Sequence, residues 1–265
     1  MSIFEIAVFL FAGSIAAILS NIVIFRLPGF RNIFKLKNFC KYCKNNYKFF
    51  DYLPLFVFIF RNGRCRYCNK RLPLSKLFSD ILLIAASFIL GSVFDISYQY
   101  FAYIVLFTIL TAIVFIDIES RTIPDVLTIA ALFFGFLLMF LNSVFKLNIF
   151  PMYNDWWKPL LGIIPGTGFL LLIALAGILI TGNDNILGMG DVKIFAPVGL
   201  FLGFERCIVA VMLSFIAGGV FSFILLILGQ AKKKMTIPFA PFIVLATFIT
   251  IIEGENIIKY IANLL

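Results

Sequence analysis

Two aspartates stand where apolar stretches meet polar ones. One is Asp117 in Phe115-Ile-Asp117-Ile-Glu-Ser-Arg-Thr-Ile-Pro-Asp125; the other is Asp191 in Gly188-Met-Gly190-Asp191-Val-Lys193. An acid in or beside a membrane span is expensive and marks a functional site by default. Two carboxylates that share a site cannot both ionise cheaply, so one stays protonated while the other carries charge. The charged one can take a proton from water while the protonated one hydrogen-bonds a scissile carbonyl, as in aspartic proteases. That chemistry needs no histidine, and the chain has none. A Ser-His-Asp triad, an HExxH zinc peptidase and any His-based proton transfer are excluded. Gly188 and Gly190 lack Cβ and would let a substrate backbone approach Asp191.

The same acids also fit plainer roles. Intramembrane carboxylates serve ion transport as well as hydrolysis. Asp125 follows Pro124 at a helix start and reads as a cap. Glu119 has Arg121 nearby as a partner. Lys193 either favours the charged form of Asp191 or extends to the lipid headgroups. The remaining acids, Asp80 and Glu205 among them, read as residents of loops or span ends.

Four of the five cysteines form a second constellation, Cys40-Lys-Tyr-Cys43 and Cys65-Arg-Tyr-Cys68, with 21 residues between the pairs. Each CxxC lets two thiolates reach one ion from a tight turn, and two such knuckles complete a closed tetrahedron. A closed site has no open position, so its metal is structural Zn2+ rather than catalytic. Two disulfides or four unrelated thiols are the alternatives, and a cytoplasmic location argues against the disulfides. Between the knuckles, Phe49–Phe60 is apolar but too short to span a bilayer. It forms either the module's core or a segment lying on the membrane face.

The composition fixes what carries these residues. Hydrophobic residues make up 62% of the 265 and charged residues 13%, against nearer half and a quarter in soluble domains. About 20 apolar residues cross the hydrocarbon core. On that ruler spans fall near Ile3–Phe25, Leu77–Phe94, Tyr100–Ile116, Val126–Leu141, Pro159–Thr181, Ile186–Phe204, Cys207–Leu228 and Ile237–Ile252. The expectation is an all-α polytopic membrane protein of about eight transmembrane helices with a small zinc-stabilised cytoplasmic loop module. Its domains would be residues 1–76, the first helix with the four-Cys module, and residues 77–265, the peptidase-like membrane domain. The first span has no basic residue before it and no small-x-small site after it, so it reads as retained rather than cleaved. With the N-terminus outside, 18 of the 22 Lys and Arg fall on the cytoplasmic side, and 13 of them lie between Arg26 and Lys76. The positive-inside rule accounts for the +9 charge, with acidic headgroups of the lipid bilayer as natural neighbours. No feature supports binding of nucleic acid. Asp117 and Asp191 then both stand at the cytoplasmic face.

These motifs resemble, in order, those of bacterial type IV prepilin peptidases, the A24 GxGD membrane aspartic peptidases. They are Ser20-Asn21-Ile-Val-Ile-Phe-Arg26-Leu-Pro28, the paired CxxC loop, Ile116-Asp117 with Ile123-Pro124-Asp125, Gly188-Met-Gly-Asp-Val-Lys193, and Ile237-Pro-Phe-Ala-Pro-Phe242. The resemblance runs from about Asn21 to Phe242. It implies a multi-pass enzyme of the inner (plasma) membrane with Asp117 and Asp191 as catalytic residues. The substrates it implies are type IV prepilins or pseudopilins of pilus, type II secretion or competence systems. Their basic leader is cut after a Gly, and many members then N-methylate the new terminus with S-adenosylmethionine. The chain departs from the pattern at Ala17-Ile18, where Gly-Ser is frequent, and at Lys76, where Glu is frequent. Lys76 reverses a charge in the region usually linked to methylation.

Two readings from other classes compete. An ion-coupled transporter would hold its acids near mid-membrane on broken helices and often show repeats. No repeat is visible, and the cysteine knuckles would have no part in it. A zinc-containing membrane scaffold would tolerate loss of either aspartate. Oligomeric state is not encoded in any motif.

Overall fold

The computed structural model describes residues 2–26, 43, 45, 54–71, 74–147, 149–150, 155, 157–181, 188–230 and 237–264. Helices account for most of them, and among the described residues the one β-type contact is an antiparallel bridge between Arg64 and Arg71. Among the described residues, seven helical stretches are long and apolar enough to cross a membrane: Ile3–Ile24, Leu77–Phe94, Tyr98–Ser120, Asp125–Phe145, Lys158–Ile180, Phe204–Ile227 and Ala240–Leu264. The protein is therefore a multi-pass α-helical membrane protein. The remaining apolar stretch, Ile186–Phe204, supplies a shorter helix, Met189–Leu202, of 14 residues. At 1.5 Å per residue it is about 21 Å long, short of the hydrocarbon core. Gly188 precedes it in an extended conformation, and Gly203 ends it at φ 76°, a backbone that few other residues adopt.

Contacts divide the chain into two compact units, Met1–Ser120 and Arg121–Leu265. The first unit holds α1 (Ile3–Arg26), α2 (Pro54–Arg61), α3 (Ser75–Phe94) and α4 (Tyr98–Ser120). Helix α1 packs on α3 and α4, which also pack on each other. Lipid is as apolar as these side chains, so close backbone approach and polar contacts must hold the helices together. Both are present. A Cβ at Gly91 would strike the ring of Phe9, and one at Gly13 would strike Ser87 and the Ile84 backbone. The Ser87 hydroxyl lies 2.7 Å from the Phe9 carbonyl and 2.6 Å from the Tyr100 hydroxyl, joining three helices at one buried point.

The second unit holds α5 (Asp125–Phe145), α6 (Lys158–Leu161), a π-helical turn (Ile164–Gly168), α7 (Phe169–Thr181), α8 (Met189–Leu202), α9 (Phe204–Ile227) and α10 (Ala240–Leu264). Helix α8 is its centre, touched by all the others. Its residues from Ile194 to Leu202 are buried almost throughout. Gly162 and Gly199 let α6 and α8 meet backbone to backbone, where a Cβ on either would overlap the other's carbonyl. Helices α9 and α10 form an antiparallel pair closed by an ion pair between Arg206 and Glu255 at 2.6 Å.

Candidate active site

Asp117 lies in the last turn of α4 and is buried. It follows Phe115 and Ile116, also buried, and precedes the exposed Ile118 and Glu119. The carboxylate thus stands where a 23-residue apolar helix gives way to polar chain. Asp191 lies in the first turn of α8 and is half-buried. Its backbone N–H donates to the Gly188 carbonyl at 2.9 Å, which closes the turn that opens the helix. The two aspartates belong to different compact units.

The glycines beside Asp191 differ in what they face. A Cβ at Gly188 would lie 2.8 Å from Asp191 Oδ2, so any side chain there would cover the carboxylate. A Cβ at Gly190 would lie 2.7 Å from Ile123 Cδ1 and 3.1 Å from its Cβ. The space that Gly190 leaves is filled by Ile123.

Asp125 does not act as the helix cap that its sequence position suggests. Pro124 is the N-cap residue of α5, without a side-chain cap, and Asp125 is the first helical residue. Its carboxylate accepts instead from Lys193 Nζ at 2.7 Å. Lys193 thus meets a carboxylate of its own unit rather than lipid headgroups alone. The Thr167 hydroxyl, from the π-helical turn, donates to the Val192 carbonyl at 3.3 Å.

Asp80 does lie near a span end, at the start of Leu77–Phe94, but it has a partner there that its sequence position does not show. It lies inside α3, is buried, and accepts from Asn21 Nδ2 at 2.5 Å. Ser79 donates to Asn21 Oδ1 at 3.3 Å. An acid within an apolar run was the available signal; its partner, 59 positions away, was not visible from local pattern.

The cysteine module keeps three of its four expected ligands among the described residues; Cys40 lies outside them. The sulfur atoms of Cys43, Cys65 and Cys68 all lie within 4.8 Å of one another. Cys43 and Cys65 are 3.9 Å apart, far beyond a disulfide bond. A tetrahedral zinc with Zn–S near 2.3 Å sets its thiolates about 3.8 Å apart, so the spacing suits a shared ion. The backbone is shaped for it. Cys65 N–H donates to the Lys70 carbonyl, Asn69 N–H donates back to the Cys65 carbonyl, and Asn69 takes φ 57° to turn the chain after Cys68. Before the knuckle, Gly63 takes φ 67° beneath the Phe58 ring of α2. The described part of Phe49–Phe60 is therefore a short helix with Val57 buried.

Known proteins resemble this chain over most of its length. The type IV leader peptidase family matches residues 104–223, which include both aspartates, and the bacterial peptidase A24 N-terminal domain matches residues 11–94. A "prepilin leader peptidase/N-methyltransferase" of Bacillus subtilis (strain 168) is 28% identical over 89% of this chain and 89% of its own. Proteins of the same name from Aeromonas hydrophila and Legionella pneumophila are 27% and 25% identical, over 88% and 86% of this chain and 78% and 76% of theirs. No solved structure matches significantly. The two family regions lie end to end over most of the sequence, and the chain belongs to the type IV leader peptidase family of membrane peptidases.

Proposed function

We propose that this protein cleaves the leader of type IV prepilins or pseudopilins at the cytoplasmic face of the inner membrane, with Asp117 and Asp191 as the catalytic pair. The observation that carries the reading is the setting of the two acids. Each sits in the terminal turn of an apolar helix, one buried and one half-buried. A carboxylate at such a boundary is held by a rigid element yet can be met by water and by an extended peptide. The charged aspartate takes a proton from water as the oxygen attacks the carbonyl carbon of the leader's Gly. The protonated aspartate hydrogen-bonds and then protonates the carbonyl oxygen. Collapse of the tetrahedral intermediate breaks the C–N bond, and a carboxyl proton goes to the leaving amine. Gly188 leaves the Asp191 carboxylate uncovered for the substrate backbone.

Cys40, Cys43, Cys65 and Cys68 would hold a structural Zn2+, which braces the loop between α1 and α3 and takes no part in the hydrolysis. The names of the relatives also carry an N-methyltransferase activity, for which S-adenosylmethionine would be the methyl donor. The peptidase step does not depend on it.

Cleavage of a prepilin in membranes by wild type, Asp117→Asn and Asp191→Asn tests the pair. Asn keeps size and polarity but cannot shuttle the proton. Both variants should accumulate normally and lose at least about a thousandfold in rate, the scale of general acid–base catalysis combined with activation of water. A variant that cuts at the normal rate removes that aspartate from the mechanism.

A further inference from the structure

Two contacts flank Asp191, one residue before it and two after, and both come from one short segment. Ile123 fills the space left by Gly190. Asp125, two residues on, accepts from Lys193 Nζ at 2.7 Å across 68 positions of sequence. Both members of the ion pair are about half exposed, at 47% and 60%, and exposed pairs contribute little to stability. The pair therefore has more to offer as a constraint on geometry than as a source of stability. Pro124 lies between the two contacts, is buried, and has a fixed φ. Ile123-Pro124-Asp125 is thus a stiff strut resting on the first turn of α8. A further contact on this turn comes from Thr167, whose hydroxyl donates to the Val192 carbonyl at 3.3 Å.

We propose that Lys193 is a positioning residue for cleavage. Through its pair with Asp125 it seats the Ile123-Pro124-Asp125 strut on the first turn of α8, and so fixes the direction of the Asp191 carboxylate. The inference rests on the reading of Asp191 as a catalytic group. Lys193 acts through Asp125 and does not touch the reacting atoms. A reacting group displaced by about 1 Å can lose up to about a hundredfold in rate, so a pair of small stability value can still matter to turnover.

The test is the kcat, KM and pH–rate profile of prepilin cleavage by the full-length enzyme in detergent. The variants are Lys193→Met, Asp125→Asn, their double, and Asp191→Asn. Each single variant should lower kcat about tenfold or more with KM unchanged. The double should be no slower than the slower single, because both remove one interaction. The limbs of the pH profile should stay where they are in wild type. A normal kcat in Lys193→Met overturns the inference, and so does a double variant whose two losses multiply. An acid limb that moves in Lys193→Met but not in Asp125→Asn also overturns it, since Lys193 would then act directly on the charge of Asp191. Asp125→Asn keeps shape and volume and carries the test alone if Lys193→Met fails to accumulate. An active Asp191→Asn enzyme overturns both this inference and the reading beneath it. An inert Asp191→Asn beside an unaffected Lys193→Met overturns this inference alone.

Discussion

At the scale of single residues, the start of α8 is built around two missing side chains with different consequences. Gly188 is exposed and faces the Asp191 carboxylate, whereas Gly190 is filled by Ile123. Gly190→Ala would push a methyl into Ile123, an overpacking that costs about 1–3 kcal/mol. The variant should unfold at lower temperature and cleave more slowly. Ile123→Val removes Cδ1, the nearest atom of the clash, and should recover part of both losses in the double variant. Thermal unfolding and cleavage rate, read on the two singles and the double, check the coupling. Gly188→Ala is expected to behave otherwise. Its methyl would crowd the carboxylate oxygen rather than the packing, so cleavage should fall with little change in unfolding temperature, and Ile123→Val should not rescue it.

At the scale of elements, what could be read from sequence was what depends on local pattern. Long apolar runs such as Tyr98–Ser120 became helices because a bilayer admits little else. The CxxC pairs announced their turns through ligand spacing, and the described sulfurs converge as that spacing implies. What stayed hidden depends on partners distant in sequence. Helix α8 read as a full span, yet glycines bound it and the other elements of its unit surround it, leaving 14 residues. Asp125 read as a cap because local statistics favour acids at helix starts; only the fold brings Lys193 to it. The metal module yields an elemental prediction. Cys65→Ser removes a buried sulfur from the cluster and leaves at most three thiolates for the ion. The purified protein should fall from about one zinc per chain to well under half. Its loop should become sensitive to protease, because metal binding of this kind is folding free energy. Aspartic chemistry needs no zinc, so a chelator should slow cleavage only as fast as the loop opens. Immediate inhibition at full zinc loss, before any proteolytic sensitivity, would assign the ion a catalytic role instead.

At the scale of the whole molecule, the orientation proposed here rests on charge. Lys and Arg are held on the cytoplasmic side by the membrane potential and by anionic lipid. The loop between α1 and α3 is dense in them, whereas the stretch between α5 and α6 carries only Lys146, with Lys158 opening α6. If the aspartates face the cytoplasm, the end of α4 must open inward and the end of α5 outward. Single cysteines introduced at Arg121, which follows α4, and at Lys146, which follows α5, report on this directly. Both positions are exposed, so neither is shielded by packing. The native Cys207 is fully buried, and the knuckle cysteines would be both cytoplasmic and metal-bound, so the background should be low. A membrane-impermeant maleimide added to intact cells whose outer layer has been made permeable should label Lys146→Cys and spare Arg121→Cys. After lysis both should label. Labelling of Arg121→Cys in intact cells would put Asp117, four residues before it, on the outer side. A prepilin leader is held inside by its own basic residues and could not reach a carboxylate there. The same labelling pattern thus tests the topology and the access of substrate to the proposed catalytic pair.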